Sequence, residues 1–117
     1  MGQYYIIANL DKREYLLPNK FGDGAKLWEF STSSGGTMSA LAVLLASSNG
    51  RGGGDLQAES PIIGSWAGDR IVITGDYDDE GRFGAPPDTN LWDWALDNWR
   101  DISLNILAVM RQDPDWL

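Results

Sequence analysis

The chain has 117 residues, with 17 Asp and Glu against nine Lys and Arg, and neither histidine nor cysteine. That length predicts a single domain over residues 1–117 with one core of its own, and the composition excludes disulfides, thiolate metal sites and catalysis by histidine or cysteine. The net charge of −8 disfavours direct binding to DNA or RNA, which rests on neutralising phosphates.

From the N-terminus, no basic region or long apolar run marks a signal peptide. Ile6 occupies the place where a myristoylated Gly2 would want Ser or Thr. No segment nears the roughly 18 apolar residues of a membrane span, so a cytoplasmic protein that does not engage membranes is expected. Gln3–Ala8 is rich in Tyr and Ile and reads as a strand. Asn9–Lys12 is a turn, and Arg13–Leu17 a returning strand that Pro18 ends, which predicts a hairpin. Ala25–Phe30 is apolar enough to be buried.

Ser31–Gly36 is a small polar loop whose backbone amides, at a helix start, suit an anion. It lacks the lysine and spacing of a nucleotide-binding loop. Thr37 is placed to cap a helix over Met38–Ser47, with apolar residues at helical spacing and Asn49-Gly50 as its stop. Gly50–Asp55 reads as the most flexible stretch. Arg70–Thr74, β-branched and nearly continuous, is the best candidate for a central strand. Gly75–Gly84 is an acidic loop. A long helix is predicted from Leu91 towards Arg111, with Ser103 or Asn105 as its weak points and Asp113-Pro114 as its stop. The expected fold is α+β: a small, largely antiparallel sheet with an N-terminal hairpin, a short central helix, and the long C-terminal helix packed on one face.

The sharpest motif is Gly75-Asp76-Tyr77-Asp78-Asp79-Glu80-Gly81. Asp76, Asp78, Glu80 and Gly81 match the first half of an EF-hand loop, but Pro87 stands where a bidentate Glu is needed, and a strand precedes the loop. The pattern Gly-Asp-x-x-Asp-x-Gly after a strand also looks like the metal-bridging element of calcineurin-like phosphoesterases. Those enzymes require histidines, and this chain has none. Asp76-Tyr77-Asp78 is similar to the nucleophile motif of haloacid-dehalogenase-type phosphotransferases but lacks the following Gly-Thr. An acidic, glycine-bearing turn needs no function at all. What stays open is a loose Ca²⁺ or Mg²⁺ site on Asp76, Asp78 and Glu80, with Asp23 as a further oxygen ligand, which would make the chain a divalent-cation-binding protein acting on or sensing a phosphate ligand through this loop. Otherwise no cofactor is expected, and the balance leans away from an enzyme.

Two further clusters stand out. In Ser65-Trp66-Ala67-Gly68-Asp69-Arg70 the tryptophan reads as a buried residue at a strand entrance, with Asp69 and Arg70 set to pair across a turn. Around Asn90-Leu91-Trp92-Asp93-Trp94, acids and aromatics interleave. Trp92 and Trp99 fall on the apolar stripe of the predicted helix, and Trp94 does not, so Trp94 reads as an exposed anchor for a partner. Residues 69–117 hold eleven acids against four arginines, a balance of −7. That asymmetry suits a basic protein partner. The candidate partner surface is Asp76, Asp78, Asp79, Glu80, Asp93, Trp94 and Asp97.

The stretch Met1–Tyr5 through Asn9–Tyr15 to Phe21–Gly24, and the stretch Gly64–Ile73 with Gly75-Asp76-Tyr77, together with Asp101-Ile102-Ser103, resemble a family of small uncharacterised proteins of bacterial and phage genomes. The resemblance implies no activity and no site residues. It implies a phage or mobile-element accessory protein. By analogy with anti-CRISPR and toxin-immunity proteins, such a protein would inhibit a basic partner.

Overall fold

The computed structural model describes residues 2–116. The hairpin forms: β1 (Tyr5–Asn9) pairs antiparallel with β2 (Glu14–Leu16), Ile7 opposite Leu16 and Asn9 opposite Glu14. On the other side of β1 lies β3 (Ile71–Gly75), also antiparallel, with Tyr5 opposite Gly75 and Asn9 opposite Ile71. A two-residue strand, β4 (Arg100–Asp101), runs parallel to β2. The order is β3-β1-β2-β4. The α+β class is as expected, but the sheet is mixed where a largely antiparallel one was predicted.

The centre of the sheet is also elsewhere. β3 is an edge strand, with Ile73 37% exposed, whereas Ile6, Ile7, Ala8 and Asn9 of β1 are fully buried. β1 is covered on both faces because side chains alternate along a strand. Ile7 and Leu16 join Phe30, Leu44, Trp66 and Ile106 in one cluster. Ile6, Ala8 and Tyr15 join Leu91 and Ala95 in another. Helices therefore cover both faces, not one.

This explains why the long C-terminal helix does not form. The predicted Leu91–Arg111 segment is two helices, α3 (Leu91–Asn98) and α4 (Ser103–Met110), separated by β4. The apolar residues of α3 belong to one cluster, and Ile102, Ile106, Val109 and Met110 to the other. One straight helix cannot serve both faces of a sheet. Trp99 turns extended (φ −102, ψ 170), Arg100 N donates to Arg13 O at 3.0 Å, and Ile102 N donates to Tyr15 O at 3.1 Å. The buried Ser103 fixes the crossing, its Oγ accepting from Leu17 N at 2.8 Å.

The remaining helices are a single turn, α1 (Leu27–Phe30), and α2 (Thr37–Leu45). In α1 only Phe30 is buried; Trp28 is 79% exposed, against the expectation that Ala25–Phe30 would be buried throughout. In α2, Thr37 is the first helical residue and not the cap. Asp23, from the preceding loop, caps instead: its Oδ2 accepts from Thr37 N at 2.8 Å and from Thr37 Oγ1 at 2.6 Å. A Cβ at Gly36 would sit 2.4 Å from that oxygen, so the close approach requires glycine. The Gly50–Asp55 stretch, expected to be the most flexible, closes on Asp55 Oδ2, which accepts from the amides of Gly50, Arg51 and Gly52. Among the described residues no helix is long and apolar enough to cross a membrane.

Candidate functional site

The acidic loop leaves β3 at Gly75 and is held at several points. Tyr4 N donates to Asp76 Oδ1, and Asp76 N to Tyr4 O, both at 2.9 Å. Asp78 Oδ2 accepts from Thr74 Oγ1 at 2.7 Å, and its Oδ1 accepts from Asp79 N at 2.7 Å and pairs with Arg82 at 3.4 Å. Asn90 joins the loop to α3: its Nδ2 donates to Asp76 O at 3.1 Å, and its Oδ1 accepts from Asp93 N at 2.9 Å as the helix cap. Glu80 bridges to Asn90.

These bonds bear on the cation ligands proposed from sequence. Asp76 and Asp78 each commit carboxylate oxygen to the chain's own donors. Asp23 is engaged at the start of α2. At the helix start after Ser31–Gly36, the Thr37 amide is thus occupied by the protein's own carboxylate, and Gly35 N donates to Ser39 Oγ at 2.9 Å. Among the described residues no three acidic side chains gather around a common point.

The predicted partner residues separate into two groups. Asp79, Glu80, Asp93 and Asp97 are exposed, as is the neighbouring Asp88. They lie on a loop and a helix that Asn90 ties together. Asp76 and Asp78 are half-buried and structural. Trp94 is not the exposed anchor: it is half-buried and packs with Trp92, Leu96 and Trp99 on the second cluster. Tyr77, at the loop tip, is 63% exposed and carries the aromatic surface beside these acids.

Asp69 and Arg70 do not pair with each other. Each crosses to the β1–β2 turn. Asp69 Oδ2 accepts from the buried Asn9 Nδ2 at 2.9 Å and pairs with Lys12. Arg70 donates to Asp11 through its backbone N (2.7 Å), Nε (3.0 Å) and Nη2 (2.8 Å). The Asn9 amide, and then Lys12, hold the Asp69 carboxyl below the usual aspartate range. For Asp11 the Arg70 backbone N–H does so first and its guanidinium second. Asn9 Oδ1 closes the turn by accepting from the amides of Asp11 and Lys12.

Beside this rigid turn is a groove of about 580 Å³ walled by Arg13, Arg70, Phe83, Trp94, Asn98 and Trp99. Sequence reasoning missed it. Its walls come from the β1–β2 turn, the entrance to β3, the bend at Phe83-Gly84 and the end of α3, and no local pattern links those segments. Comparison with protein-family models, curated proteins and solved structures finds no match to this chain.

Proposed function

We propose that the protein is a non-enzymatic interaction module whose acidic shoulder binds a basic protein surface. One observation carries this reading. Asp79, Glu80, Asp88, Asp93 and Asp97 are exposed on adjoining elements, and none forms an ion pair with a described residue. Asp93 and Asp97, one helical turn apart, repel each other in the free protein. An opposing cationic surface would relieve that repulsion and steer association. Tyr77 supplies an aromatic contact beside the charges, the residue type that anchors interfaces. An acidic face seated on a basic one also competes with the basic face's own anionic ligand. The module would then act as an inhibitor, by analogy with anti-CRISPR and toxin-immunity proteins.

The test compares the wild type with a variant carrying Asp79→Asn, Glu80→Gln, Asp93→Asn and Asp97→Asn, both as bait in affinity capture across a salt series. The expected result is a basic protein retained by the wild type at low salt, released as salt rises, and lost by the variant. Equal retention by both baits, or retention indifferent to salt, would count against the reading.

A further inference from the structure

We infer that the groove beside the β1–β2 turn is a binding site for a small planar aromatic anion of nucleoside-monophosphate size. The inference goes beyond the acidic shoulder and uses none of its carboxylates.

In a chain where acids outnumber bases 17 to nine, the groove walls hold two arginines and no acid. The guanidinium of Arg13 forms no ion pair or hydrogen bond with any described residue, and Arg70 Nη1 has no partner among them either. Asp11 fixes the Arg70 guanidinium in place, and Asn9 closes the backbone turn from which the exposed Arg13 side chain extends.

Phe83, Trp94 and Trp99 line the groove with aromatic rings, Phe83 carrying the Arg82 guanidinium 4.5 Å from its centroid, and Asn98 adds an amide that both donates and accepts. Half-buried rings beside guanidinium groups suit a flat ring with a negative substituent, by stacking on the rings and by bidentate pairing with arginine. The volume lies within the range of small-molecule sites. A polyanionic strand does not fit, because the net charge of −8 opposes it at longer range.

Among the described residues Arg13 (φ 56) and Phe83 (φ 58) are the only non-glycine residues in the left-handed region. Both wall this groove, from segments about 70 residues apart. Such conformations are costly for residues other than glycine and cluster at binding sites.

The experiment is titration of intrinsic tryptophan fluorescence and of the indole N–H resonances of Trp94 and Trp99 with adenosine 5′-monophosphate, guanosine 5′-monophosphate, adenosine and inorganic phosphate. Both nucleotides are expected to saturate the response below millimolar concentration. Adenosine and phosphate alone should each bind at least about tenfold more weakly, a difference of about 1.4 kcal/mol. Arg13→Gly removes the guanidinium and the backbone strain together, so it should lose at least about tenfold in nucleotide affinity while melting at the same temperature or higher. No response to either nucleotide at millimolar concentration would overturn the proposal. So would equal binding of adenosine or of phosphate alone, or nucleotide affinity unchanged in Arg13→Gly. The shoulder variant, Asp79→Asn with Glu80→Gln, Asp93→Asn and Asp97→Asn, should bind nucleotide like the wild type, which keeps the two proposals separable.

Discussion

The indole N–H of Trp66 donates to Glu14 Oε1 at 2.9 Å. Trp66 is the largest fully buried side chain, and Glu14 reaches it from the start of β2. The same carboxylate lies 3.9 Å from Arg100 of β4. One acid thus satisfies the polar atom of a buried ring and approaches the strand that joins the two C-terminal helices. Trp66→Phe keeps a ring in the core but leaves Glu14 without its donor. It should cost about 1–3 kcal/mol, read as a lower urea midpoint at unchanged slope. Glu14→Gln keeps an acceptor and should cost less than Trp66→Phe; the reverse order would show that the bond is incidental to stability.

Ser103→Ala tests the break between α3 and α4. It removes the acceptor of the partly buried Leu17 amide. The expected loss is about 1–3 kcal/mol, with faster hydrogen exchange at the Leu17 amide than in the wild type. A fully protected Leu17 in the variant would mean that another acceptor holds this crossing.

Asp23 and Gly36 form one device at the start of α2. Asp23→Ala should cost about 0.5–2 kcal/mol, as loss of a cap does. Gly36→Ala should cost a comparable amount by driving the carboxylate away. The double variant should be hardly worse than the costlier single one, since the same contact is lost twice. Simple addition of the two losses would place the role of Gly36 elsewhere.

Acid should unfold the protein in a defined window. For Asp23, burial pushes the carboxyl up, but hydrogen bonds from Ser33 and Thr37 outweigh it and hold it below the usual range. Backbone amides hold Asp55 and Asp113 low, and Asp11 and Asp69 are low as described above. A folded-state value below the unfolded one gives stability that is fully present above about pH 4 and is lost as pH falls through the folded values. Tyr15 works in the opposite direction. Burial, and then the charge of Asp101, push its phenol up. Its contribution is present below about pH 10 and is lost as pH rises beyond that. The melting temperature should therefore be level between about pH 5 and pH 8 and fall at both extremes. Tyr15→Phe should weaken the alkaline fall, and Asp23→Asn the acid one.

Divalent cations test the acidic loop directly. Asp76 and Asp78 already accept from Tyr4 N and Thr74 Oγ1. Millimolar Ca²⁺, Mg²⁺ or Mn²⁺ should therefore leave the melting temperature unchanged. A rise that Asp76→Asn with Asp78→Asn abolishes would instead establish a cation site there. Without metal, that double variant should melt below the wild type, because it weakens the bonds that close the loop.

Local chemistry in the sequence was enough for the hairpin, the strand at Ile71–Gly75, the positions of α2 and the start of α3, and the burial of Trp66. Turn residues, β-branching and caps act over a few neighbours, so they can be read one segment at a time. The exposed acids Asp79, Glu80, Asp93 and Asp97 were legible from residue type, whereas Asp88 was passed over and the named Asp76, Asp78 and Trp94 are half-buried. What the sequence could not decide was which face of the sheet each apolar stripe would cover. Leu91 with Ala95 and Ile106 with Val109 fit one helical pattern, yet Ile6 and Ile7 point to opposite faces, and each stripe follows a different one. Only that partition forces the chain to break at Trp99, adds β4 in parallel, and brings the end of α3 beside the turn at Arg13. The groove exists because of that crossing, a long-range consequence of packing two layers on a single buried strand.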